Sequence, residues 1–91
     1  MYEKRYAVFL ETAAREFVSR RQGETALALY EELLALDGMR DDIYREMIKL
    51  CVEMNRRAEA VRLYERLERM MRTEFGAAPD PDVARMVREW F

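Results

Sequence analysis

No histidine occurs anywhere in the chain, and Ser19 and Cys51 are its single serine and single cysteine. A serine or cysteine nucleophile needs a neighbouring base, most often an imidazole, to become reactive. Histidine is also the commonest metal ligand and the side chain whose charge changes near neutral pH. The residue types therefore point away from an enzyme and toward a chain with no cofactor, no metal and no small-molecule ligand. Cys51 has two readings, a redox sensor or a small core residue. No cation is placed by the sequence to lower its pKa, so the core reading is preferred.

What chemistry remains is recognition of charge and of aromatic surface. Arg15, Arg45 and Lys49 can receive an acidic peptide or a C-terminal carboxylate, the arginines in two-pronged geometry. The bland alternative is an ordinary solvated helix face with internal ion pairs. Trp90 and Phe91 can anchor a partner if they face outward. Trp90 continues a seam of Val83, Met86 and Val87 and is expected inward, with Phe91 left open. Arg56, Arg57, Arg62, Arg66 and Arg69 are interleaved with Glu59, Glu65 and Glu68, which reads as a solvated helix rather than a basic patch.

The composition sets limits. Ninety-one residues make one domain, residues 1–91, and 51% apolar content suits a folded chain. Net charge is −2 although 14 of the 16 basic residues are arginine, so the basic excess of a free-standing nucleic-acid binder is missing. No apolar run approaches the 18 or so residues of a membrane span. One cysteine excludes an internal disulfide. A cytoplasmic location and no membrane association are expected.

These groups must be positioned by helices. A first helix is expected over about residues 3–21, with Tyr2, Tyr6, Phe9, Leu10, Ala13 and Phe17 forming an apolar stripe at three- and four-residue steps. Gly23 is its natural stop. A second helix over about residues 25–36 ends at Asp37-Gly38. A third runs to about Met54, capped by Asp41 or Asp42, with Asn55 as a turn or cap. A fourth spans about residues 57–74, with Glu65–Arg69 and Glu68–Arg72 as pairs in the favourable order, and Gly76 ends it. Asp80 caps a fifth helix whose first residue is Pro81.

A shift of 34 residues maps Ala26, Leu29, Tyr30, Glu31 and Leu33 onto Ala60, Leu63, Tyr64, Glu65 and Leu67. Thirty-four is the period of tetratricopeptide helical hairpins. The fold expected is all-α: a tetratricopeptide-like stack of two helical hairpins plus a C-terminal capping helix. Repeat one covers about residues 7–40, repeat two about 41–74 and the capping helix about 80–91. Ala26 and Ala60 sit where helices approach closely, with Tyr30 and Tyr64 beside them. In such stacks the first helix of each hairpin lines a concave groove, which places Glu11, Thr12, Arg15 and Ser19, then Arg45, Glu46, Lys49 and Glu53, on the binding face. Two hairpins are fewer than such stacks usually need, so Tyr2, Tyr6, Phe9, Trp90 and Phe91 mark where apolar surface should show.

Gly23-Glu24 before Ala26-Leu27, the break at Asp37-Gly38, Arg56-Arg57-Ala58-Glu59-Ala60 with Tyr64, and above all Glu74-Phe75-Gly76-Ala77-Ala78-Pro79 followed by Asp80-Pro81-Asp82 form a recognisable series. It resembles the bacterial transcriptional activation domain of SARP-type regulators, a tetratricopeptide-like module. The chain departs from that pattern at Gly38-Met39, where Pro and Leu are frequent, and at Ala77-Ala78, where Val-Glu is common. The resemblance implies regulation of transcription through protein contacts: self-association, another part of a larger regulator, or the transcription machinery. DNA would be reached only through a separate winged-helix domain that these residues do not include. The competing reading is a stand-alone tetratricopeptide-like adaptor that binds a peptide or partner protein with no link to DNA.

Overall fold

The computed structural model describes residues 4–89. Five helices occur among them, and no strand: α1 (Lys4–Ser19), α2 (Gly23–Leu36), α3 (Asp41–Glu53), α4 (Arg57–Phe75) and α5 (Pro81–Arg88). The chain divides into two compact units, Met1–Gly38 and Met39–Phe91. In the first, α1 packs on α2; in the second, α3 packs on α4 and α5 lies against both. The all-α, tetratricopeptide-like architecture is the one the periodicity predicts.

The repeat is visible in the backbone itself. Helices α1 and α3 end at Ser19 and Glu53, and α2 and α4 begin at Gly23 and Arg57, each pair 34 residues apart. Between them the two turns match bond for bond. The Gln22 amide donates to the Phe17 carbonyl at 2.8 Å and the Arg56 amide to the Cys51 carbonyl at 2.8 Å. The Arg21 and Asn55 amides donate to Val18 and Val52 at 3.0 and 3.1 Å. This pair of bonds is the Schellman closure, which requires a left-handed residue just past the helix. Arg21 (φ 59°) and Asn55 (φ 61°) supply it.

Gly23 is therefore not the stop of α1. It opens α2, two residues earlier than the helix propensities suggest, because Gln22 both closes α1 and accepts the Ala26 amide at 3.1 Å. Asn55 does take the turn. The cap proposed for α3 also moves: its N-cap is Arg40, which makes no side-chain cap bond, and Asp41 and Asp42 lie inside the first turn. Arg40 instead grips the Asp42 carboxylate with two bonds, Nε to Oδ1 at 3.0 Å and Nη2 to Oδ2 at 2.8 Å. Among the described residues, no ion pair joins Glu65 to Arg69 or Glu68 to Arg72.

Helix α1 carries two overlapping apolar stripes, and packing selects one. Ala7, Leu10 and Ala14 are buried, Ala13 and Phe17 half-buried, while Tyr6 and Phe9 stay exposed. A stripe built on alanines lets α2 approach closely, which the aromatic stripe does not. Tyr6 remains at the margin, where its hydroxyl donates to the Glu32 carboxylate of α2. That bond, made to a charge, holds the Tyr6 hydroxyl above its ordinary pKa. Ala26, Tyr30 and Leu33 are fully buried, as are Ala60 and Leu67; Tyr64 is only half-buried.

The second unit has the wider core. Ile43, Tyr44, Met47, Ile48, Leu50 and Cys51 of α3 are all buried, so this short helix hides most of its circumference. Leu63 and Leu67 of α4 and Val83 and Val87 of α5 complete the interior. The Arg66 guanidinium lies 5.5 Å from the centre of the Tyr44 ring, a cation–π contact that ties α4 to α3. Gly76 ends α4 with φ 61°, as anticipated.

Candidate protein-interaction surfaces

The candidate cations lie on outward faces. Arg15 projects from α1 and is held by Glu11 one turn earlier, Nη2 to Oε2 at 2.6 Å. With 69% of its side chain exposed, the guanidinium can still meet a second anion. Arg45 and Lys49 stand one turn apart on α3, both exposed. Of the two, Arg45 already has a task within its own unit: its Nη2 meets Asp80 Oδ2 at 2.9 Å.

Asp80 is thereby used twice. Its Oδ1 accepts the Asp82 amide at 2.9 Å, the expected cap of α5. Its Oδ2 takes Arg45. One carboxylate starts the last helix and fastens that start to α3. The sequence contains both residues but not their meeting, since 35 positions separate them.

Cys51 is buried on α3, and burial pushes its thiol up to about 11. A thiol held protonated and out of solvent is a packing residue, in line with the core reading. Of the methionines, Met47 is buried, Met54, Met70, Met71 and Met86 are half-buried, and Met39 is exposed. Among the described residues, no group of three acidic or cysteine side chains is arranged to hold a metal ion. No helix among them is long and apolar enough to cross a membrane.

Apolar surface shows where the repeat count suggested. Phe9 is 63% and Val8 64% exposed, and Tyr6 stands beside them. Val8 and Phe75, also exposed, were not anticipated; Val8 sits opposite the apolar stripe of α1, and Phe75 lies about two turns beyond Leu67, the last buried residue of α4. Tyr2, Trp90 and Phe91 lie outside the described residues. An open hollow of about 320 Å³ lies between α4 and the following loop, lined by Glu68, Arg72, Gly76, Ala77, Ala78 and Pro79.

That loop, left-handed glycine to proline-started helix, is the stretch that carries the resemblance drawn from the sequence. The family model of the bacterial transcriptional activator domain matches residues 2–89. The chain belongs to that family. No curated protein and no solved structure matches it. The bacterial transcriptional activator domain is a regulatory domain, and membership places this chain in transcription regulation. The match runs through both hairpins and α5.

Proposed function

We propose that residues 1–91 form one non-catalytic protein–protein interaction module of a bacterial transcription regulator, acting in the cytoplasm with a DNA-binding domain outside these residues. The observation that carries this reading is the family match through both hairpins, on a chain whose polar side chains of interest lie at the surface. Contact is made by helix faces rather than by a pocket. Arg15 of the first unit and Lys49 of the second, equivalent positions of the two repeats, are the cations offered to acidic segments of a partner. Arg45, one turn from Lys49 on α3, adds to the charge there while bracing α5. Trp90 and Phe91 are the aromatic candidates at the C-terminal end.

Binding of an acidic partner segment should be lost when Arg15 and Lys49 are both changed to Glu, with the helical circular dichroism retained. Unchanged binding would remove these two cations from this reading. The intact mass of the native product separates the regulator from the stand-alone adaptor. A mass far above 10.9 kDa, with a winged helix in the extra sequence, supports the regulator. A native product of this size, with no such domain, favours the adaptor.

A further inference from the structure

Helix α5 has eight residues, fewer than the 12–15 or so an isolated helix needs to persist in water. It is folded because it is docked. Its attachment has three parts: Val83 and Val87, buried four residues apart on one face, and the Asp80 cap meeting Arg45 of α3. Apolar anchors one turn apart with a charged residue at one end are the features by which a groove accepts an amphipathic helix. The ion pair is exposed on both sides, with Arg45 at 47% and Asp80 at 42%, so it holds weakly. The link to α4 is only residues 76–80, which keeps α5 at its seat by proximity.

We propose that the surface of α3 and α4 beneath α5 is a docking site for an amphipathic helix of a partner protein, and that α5 occupies it as an internal stand-in. The occupant it fits is specified by α5: an aspartate at the helix cap for Arg45, an apolar residue three positions later and a second one four beyond that. Charge complementarity at Arg45 favours an acidic over a basic helix start. The proposal rests on the reading of the chain as an interaction module and shares Arg45 with its charged face, but its apolar seat does not involve Arg15 or Lys49, so either can fail alone.

The test uses the full chain and a fluorescent synthetic peptide of its own residues 79–89. Val83→Asp with Val87→Asp undocks α5 in place. The anisotropy titration is expected to show at least tenfold tighter peptide binding to this variant than to wild type, and a few-fold weakening of that binding when Arg45→Glu is added. A helical variant that does not bind the peptide would overturn the proposal. Should the double variant fail to fold, hydrogen exchange on wild type decides. Amides late in α5 are expected to exchange at least tenfold faster than those in the middle of α3; exchange at the same rate overturns a displaceable α5. A wild-type species of twice the monomer mass that exchanges α5 between copies would assign the site to a second copy, and so also overturn it.

Discussion

Cys51 shows how burial turns a reactive group into a structural one. Its thiol titrates near 11 instead of the ordinary 9.0 because the thiolate would have to form in an apolar interior. The folded chain therefore keeps a proton that the unfolded chain gives up as pH passes 9, and stability falls with rising pH between those values. Urea unfolding over that range should show wild type losing stability more steeply than Cys51→Ala, by up to about 1.4 kcal/mol per pH unit. A thiol reagent at pH 8 should modify the native protein only at the rate of unfolding. Asp42 works in the opposite direction. The two bonds from Arg40 hold its carboxyl below the usual 3.8, so its contribution is present above that pH and is lost as pH falls through the lower folded value. Arg40→Ala should flatten this acid limb. At the turns, Arg21 bears a left-handed conformation that costs a side-chain-bearing residue about 1–2 kcal/mol. Arg21→Gly should raise stability by about 0.5 kcal/mol, the looser unfolded chain taking back part of the gain. Asn55→Gly should change less, since asparagine tolerates this region.

Between elements, the repeat makes controlled comparisons possible. Phe9 and Ile43 hold the same position, 34 residues apart, yet Phe9 is 63% exposed and Ile43 1%. Phe9→Ala should cost at most about 0.5 kcal/mol, whereas Ile43→Ala should cost roughly 2–5 kcal/mol. Equal losses would mean that Phe9 is covered in solution. Asp80 allows a second separation. Asp80→Asn keeps a cap acceptor but removes the charge facing Arg45, and should cost no more than about 1 kcal/mol. Asp80→Ala removes both and should cost about 0.5–2 kcal/mol more through the cap alone. Melting curves of the two variants read the cap and the brace apart.

For the whole molecule, most of the fold is legible in the sequence. Helix periodicity and a 34-residue self-match depend on neighbours in sequence, and local residues decide where a helix can run. The family was likewise legible, because its most specific stretch is one contiguous loop and helix start, residues 74–82. Three things were not. Which apolar stripe of α1 turns inward depends on how closely α2 can approach, so the alanine stripe was buried and Phe9 left outside. Which residue closes each turn depends on the backbone bonds available past the last helical residue, so Arg21 took the left-handed position and Gly23 did not. Whether Arg45 is a free cation depends on Asp80, 35 residues away, and only the docking of α5 brings them to 2.9 Å. Composition and order alone determined an all-α repeat without histidine chemistry. Tertiary structure decided which surfaces stay open, because burial and charge pairing are properties of what packs against a residue, and a residue's own type does not specify its neighbour.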